Sequence, residues 1–226
     1  MIYFENTGIH IFDCDGVILD SNFLKIKAME QTLHLIGVPT GIASSCIDMF
    51  RGNFGRTRAK HFAKFSEIFS QHGRSDLSPN LVDAEATYSS KVQNLYPRSK
   101  IIDETVRYID TINLTKKMYV VSASDELELR HILPQRLRYF SEDNILGGPI
   151  TKVDNILNIL KLNNSSTAIL YGDSTHDAMA ALATGIDFVG LKKYSADPAG
   201  LSEFCSKHEL CCIHVLHSSE NKSDVS

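Results

Sequence analysis

Two carboxylates separated by one residue, Asp13 and Asp15, close the apolar run Ile9–Phe12, and Gly16 follows them. Such a stretch reads as a buried strand whose carboxyl end opens into a tight acidic loop. On a regular strand, alternate residues face the same side, so both carboxylates address one site. In an open α/β sheet, ligands bind outside the carboxyl ends of the strands, where such a pair can hold a hard cation or attack a substrate. Gly16 allows backbone angles that other residues resist. An Asp-x-Asp pair taken alone is as readily a solvated turn, and the rest of the chain has to decide. Ser122 ends the apolar run Met118–Val121, Lys152 opens an amphipathic segment, and Asp173 and Asp177 follow the run Thr167–Tyr171. If those runs are parallel strands, these residues converge on one crevice.

The patterning supports that layout. Ser21 is placed to cap a helix over 22–35, which Gly37 and Pro39 end. Three further helices are expected over 42–50, 56–69 and 80–95, with no convincing strand before about Pro97. A helix over 103–112 then leads to the strand at 118–122, and a helix over 125–133 stops before Pro134. Residues 139–149 read as loop or short strand. Lys152–Leu162 is helical with Thr151 as its cap, and helices over 175–184 and 198–207 alternate with strands over 167–171, 186–191 and 210–216. Strand and helix alternating in this way predict a parallel sheet with helices on both faces.

Four segments in order, FDCDGVILDS, VVSAS, Lys152 in GGPITKVDN, and YGDSTHDAMAA, resemble the motifs of the haloacid dehalogenase-like hydrolase superfamily. The resemblance implies a Rossmann-like, doubly wound α/β core over 1–20 and 98–217, with a helical cap inserted after the first strand over 21–97 and a disordered tail over 218–226. It implies a magnesium-dependent phosphatase. Asp13 would be the nucleophile, and Asp15 would protonate the leaving oxygen and later deprotonate water. Ser122 and Ala123 would bind phosphate beside the positive charge of Lys152. Asp13, Asp173, Asp177 and the Asp15 carbonyl would hold Mg2+, directly or through water.

The cap would read the leaving group. Within RGNFGRTRAK, Arg56 is the cap candidate, whereas Arg58 and Lys60 read as a solvated helix face. Asn22 is another possible contact. His176 reads as a surface or supporting histidine, and Cys14 points away from the two aspartates. A helical cap favours a small phosphorylated metabolite, such as a sugar phosphate or a phosphoglycolate-like molecule. A phosphosugar mutase needs a cap acid or base, for which His34 and His61 are poorly specified. A phosphonate hydrolase needs a cap lysine, and the contexts of Lys25 and Lys27 give no sign of one. A non-catalytic binding module would not require the acidic pairs to be intact.

Composition bounds the rest. The 226 residues suit one domain with a sizeable insertion, and their formal charge of -4 gives no broad electropositive field for nucleic acid or an anionic membrane. No apolar run approaches a bilayer span, and Met1–Thr7 lacks the features of a signal peptide. Five cysteines without a C-x-x-C pair suggest a reduced, cytoplasmic protein. Cys211, Cys212 and His214 lie in an apolar run and read as strand residues rather than zinc ligands. A monomer or small homo-oligomer is expected.

Overall fold

A computed structural model describes residues 7–112 and 116–217. The expected tail over 218–226 lies outside the described residues. In chain order the elements are β1 (Ile9–Phe12), β2 (Leu19–Asp20), α1 (Asn22–Leu35), α2 (Thr40–Arg51), α3 (Arg58–Gln71), α4 (Leu81–Leu95), β3 (Lys100–Ile101) and α5 (Asp103–Ile112). They continue with β4 (Lys117–Asp125), α6 (Glu126–Arg136), β5 (Ile145–Gly148), α7 (Lys152–Leu162), β6 (Ile169–Gly172), α8 (Thr175–Thr184), β7 (Asp187–Leu191), α9 (Pro198–Lys207) and β8 (Cys211–Ile213).

Six strands form one parallel sheet in the order β5-β4-β1-β6-β7-β8. Alternate side chains on each strand go to opposite faces, and both faces are covered. Phe12, Val120, Ile169 and Val189 join one buried cluster, while Ile11, Tyr119, Leu170 and Phe188 join another. This is a doubly wound, Rossmann-like α/β fold, as the alternating pattern predicts. The first cluster continues without a break into Met29, Leu33, Phe65 and Phe69 of the inserted helices, so α1–α4 share apolar packing with one face of the sheet.

Several local expectations need correction. Ser21 occupies the position before α1 but makes no capping bond, because its hydroxyl donates to Asp15 Oδ1 at 2.5 Å and to the Leu19 carbonyl at 3.3 Å. Pro134 lies inside α6 and does not end it. In the last turn a proline sacrifices one amide, and Leu137 N still donates to Leu133 O at 2.8 Å to close the helix. The last strand is limited to Cys211–Ile213 and does not span 210–216. The strand expected over 118–122 runs on to Asp125. Its pairing with β5 shifts register between Val121, opposite Leu146, and Asp125, opposite Gly148, so β4 carries extra residues there. That bulge holds Ser122, Ala123 and Ser124 where strand pairing is interrupted.

Candidate active site

The site begins where β1 runs out. Asp13 N still pairs with Tyr171 O at 2.9 Å, but from Cys14 to Leu19 the chain folds on itself through Gly16 N→Leu19 O at 2.7 Å and Leu19 N→Cys14 O at 2.8 Å. Gly16 takes φ 76°, and a Cβ there would sit 2.3 Å from Asp173 Oδ2. Only glycine lets the turn close against the end of β6. Asp13 and Asp15 are both buried, and Cys14 is wholly buried in the apolar cluster under the sheet, its thiol pKa pushed up by burial. All five cysteines are free.

Asp13, Asp173 and Asp177 bring one carboxylate oxygen each to within 4.8 Å of one another. Lys152, placed by the first turn of α7 behind its Thr151 cap, forms ion pairs with Asp13 Oδ1 at 2.9 Å and with Asp177 Oδ1. Asp177 is fixed further by a capping box, with Ser174 Oγ donating to its Oδ2 at 2.6 Å and Ser174 N at 3.1 Å. Asn22 Nδ2 donates to Asp173 Oδ2 at 2.6 Å and to the Tyr194 carbonyl at 2.8 Å.

One ammonium does not balance three buried carboxylates. Burial pushes the Asp13 pKa up to about 7; Lys152 opposes that shift, and Asp177 and Asp15 add to it. Burial, then Asp13 and Asp177, push Asp173 well above the carboxylate range. Asp13 Oδ1 is buried, and its charged partner is the Lys152 ammonium, which it shares with Asp177. An all-oxygen donor set with surplus negative charge fits a hard divalent cation. The three aspartates are the one cluster of this kind among the described residues, so Cys211, Cys212 and His214 supply no second.

Asp15 differs from its neighbour. Burial works against its charge, but Lys25, with Ser21 and Ser124, holds its pKa below the ordinary value. Its carboxylate is not part of the aspartate trio. Two carboxylates set in one loop are thus driven in opposite directions, the pattern that separates chemical roles. Ser122 is buried beside them, accepting a hydrogen bond from Ser124 N at 3.2 Å, and Ser122 and Ala123 open with both aspartates onto a cavity of about 530 Å³.

The haloacid dehalogenase-like hydrolase family model matches residues 10–191. The chain belongs to that family. Among solved structures it is similar to a haloacid dehalogenase-like family hydrolase from Streptococcus pneumoniae, with 20% identity, a TM-score of 0.67, and 88% of this chain and 90% of that one covered. It is also similar to a "Putative Phosphatase" from Clostridium difficile (21% identity, TM-score 0.69, 94% and 96% covered). A third is a "Putative beta-phosphoglucomutase" from Bacteroides vulgatus (15% identity, TM-score 0.67, 92% and 84% covered). At these identities the structures establish the shared fold. No curated protein matches the chain. Among the described residues, no helix of this hydrolase is long and apolar enough to cross a membrane.

The inserted helices roof the hydrolase's cavity. Arg56 is exposed at its edge and donates through Nε to His176 Nε2 at 2.7 Å, which joins the insertion to α8. Burial and Arg56 hold the His176 pKa down. Arg58 is not on a solvated face. Its guanidinium reaches Glu128 on α6 at 3.1 Å, donates to Ser89 Oγ at 2.5 Å and lies over the Tyr88 ring. Lys60 is exposed along the same wall, as expected. His61 lines the cavity against Phe50, with burial lowering its pKa to about 3, while His34 is exposed on α1.

Sequence reasoning gave Lys25, Ser124 and Tyr96 no part in the site, yet all three surround Asp15. A signal existed for Lys25, one helical turn beyond Ser21 on the same face of α1. Ser124 lies inside VVSAS, where the bulge could have drawn attention. For Tyr96, nothing local pointed to it.

Proposed function

We propose that this hydrolase cleaves the phosphomonoester of a small metabolite, with residues 21–97 acting as a cap over the core. Asp13 would attack phosphorus, forming an aspartyl-phosphate as the bond to the leaving oxygen breaks, and water would then release phosphate. The Ser122 hydroxyl and the Ala123 amide donate to phosphoryl oxygens, while Lys152 presents a fixed charge beside Asp13. Asp15, kept ionised, accepts the proton of the attacking water in the second half. Asp13, Asp173 and Asp177, with the Asp15 carbonyl, would hold magnesium. Bound there, the ion would offset repulsion between the carboxylates and a phosphate dianion.

The observation that carries this reading is the buried Asp13 carboxylate, paired with Lys152 beside Asp173 and Asp177 and opening onto the same cavity as Ser122. A cavity of about 530 Å³ suits a small molecule rather than a phosphoprotein surface. Two structural neighbours whose names include phosphatase, from Clostridium difficile and Lactobacillus plantarum, support the reaction class. The test is phosphate release from sugar phosphates, phosphoglycolate, nucleotides and an aryl phosphate, with and without magnesium, against Asp13→Asn. Release that needs both the metal and Asp13 is expected. Release that persists in Asp13→Asn would overturn the mechanism, and interconversion of sugar phosphates with little release would indicate a mutase.

A further inference from the structure

Cys205 and Cys212 meet over a glycine. Cys205, near the end of α9, is 1% exposed, and Cys212, in β8, is half-buried. Gly190 of β7 pairs in register with Cys212. A Cβ added to Gly190 would sit 3.1 Å from Cys212 Sγ and 3.3 Å from Cys205 Sγ, so both sulfurs lean into the space that a side chain would take. The two thiols share a hydrogen bond. The connection between them is tight: Leu210 N donates to Cys205 O at 2.9 Å, and Glu209 takes φ 55° as the chain reverses from α9 into β8. The backbone therefore sets their approach.

The other cysteines stand apart. Cys14 and Cys46 lie in the buried cluster on the opposite face of the sheet, and Cys211, one residue from Cys212 on the same strand, is exposed and points the other way. Reactivity divides between the two that meet. Burial, then the neighbouring Cys212 and Cys211, push the Cys205 thiol up to about 12, so it does not react first. Cys212 is the member of the pair that a small reagent can reach.

We propose that Cys205 and Cys212 are a redox modification site, closing to a reversible disulfide by exchange with a low-molecular-weight disulfide. In the first step Cys212 loses its proton to solvent and attacks one sulfur of the reagent. A bond to Cys212 Sγ forms, the reagent's S–S bond breaks, and the released thiolate takes up a proton. In the second step Cys205 loses its proton and attacks Cys212 Sγ, which forms the protein disulfide and expels the second small thiol. Two protein thiols are thus oxidised by two electrons while one small disulfide is reduced to two thiols. Capping Cys212 in the first step removes its charge from beside Cys205, which eases the second. The bond would tie α9 to β8 where β7 runs on to Tyr194, whose carbonyl accepts from Asn22, and to Ser195, whose hydroxyl donates to the Asp173 carbonyl.

The experiment incubates the folded full chain with oxidised glutathione, quenches samples in acid, alkylates the remaining thiols and weighs the peptides. Two of the five thiols should be lost, with Cys205 and Cys212 recovered as one cross-linked species lighter by two hydrogens, and dithiothreitol should restore all five. A glutathione adduct on Cys212 should appear first and decay into the bridge, faster as pH rises, because Cys205 must ionise. Cys211→Ser should leave this course unchanged. Cys205→Ser should stop at the adduct on Cys212, and Cys212→Ser should leave Cys205 unmodified. Melting confirms that each variant is folded, and Cys205→Ala is read in the same way if Cys205→Ser is not. An adduct that persists on Cys212 of the wild type, or a bridge made by Cys211, would overturn the proposal. So would five thiols left intact under conditions that oxidise the urea-unfolded chain.

Discussion

Asn22 Nδ2 lies 2.6 Å from Asp173 Oδ2, joining the first residue of α1 to a carboxylate at the end of β6 across 151 positions of sequence. The link passes directly over Gly16, where an added Cβ would sit 2.5 Å from Asn22 Nδ2 and 2.3 Å from Asp173 Oδ2. The acidic loop, the metal-ligand candidate and the start of the insertion therefore fit around a position with no side chain. Gly16→Ala should destabilise the protein by about 2 kcal/mol or more, combining the cost of a positive φ with overpacking. It should also weaken magnesium binding by displacing Asp173. Thermal melts with and without magnesium test this, and a variant as stable and as metal-responsive as wild type would refute it.

Asp13→Asn should change the pH dependence of stability as well as abolish turnover. Asp13 is raised from 3.8 to about 7 in the folded state, so between those values the native protein binds more protons than the unfolded chain. Its contribution to stability therefore falls as pH rises from about 4 to about 7. His10 and His61, lowered to about 4 and about 3, act in the opposite sense, since their stabilisation is lost as pH falls below about 6.5. The difference between wild type and variant cancels His10 and His61 and reports Asp13 together with the Asp173 and Lys152 groups it acts on. With metal chelated, Asp13→Asn should gain on wild type steadily from pH 4 to 7. Magnesium at about 100 times its Kd should add roughly 2.7 kcal/mol to wild type at pH 8 and much less to the variant. Melting curves that stay parallel across this range would contradict the assignment.

Arg58→Met and Glu128→Gln should each loosen the insertion from the core. The pair is mostly buried, with side chains 20% and 6% exposed, and removing one partner strands the other. A loss of about 1–3 kcal/mol is expected from either substitution. Amide exchange should speed up in α3 and in the first turn of α6 while remaining slow in β1 and β6. Unchanged exchange in α3 would show that the apolar cluster alone seats these helices.

The order of strands and helices was legible because its determinants are local. Apolar runs such as Ile9–Phe12 and Ile169–Tyr171, the Thr151 cap and the breaks after α1 lie within a few residues of what they control. The acidic trio and Lys152 were legible for the related reason that parallel strands end on one side, whatever lies between them. Partnerships between the insertion and the core were less accessible. Arg58 resembled a solvated lysine neighbour until Glu128, 70 positions away, came to face it. Lys25 had no visible purpose until Asp15, Ser124 and Tyr96 surrounded it. Ser21 had the right residue type for a cap, but a nearer carboxylate took its hydroxyl. Pro134 shows the limit of a breaker rule, because position within the helix decides what a missing amide costs.

The short ribbon of β2 and β3 pairs Leu19 with Ile101 and Asp20 with Lys100, so the chain leaves for the insertion and returns from it side by side. The intervening segment is thereby a closed excursion whose two ends are fixed at one point. Its helices can lengthen, shorten or exchange residues during divergence without altering the register of β1 against β4 and β6. Change in the roof can thus leave the strands that carry the aspartates in register, provided that Asn22, Lys25 and Tyr96, which the insertion commits to those carboxylates, stay where they are.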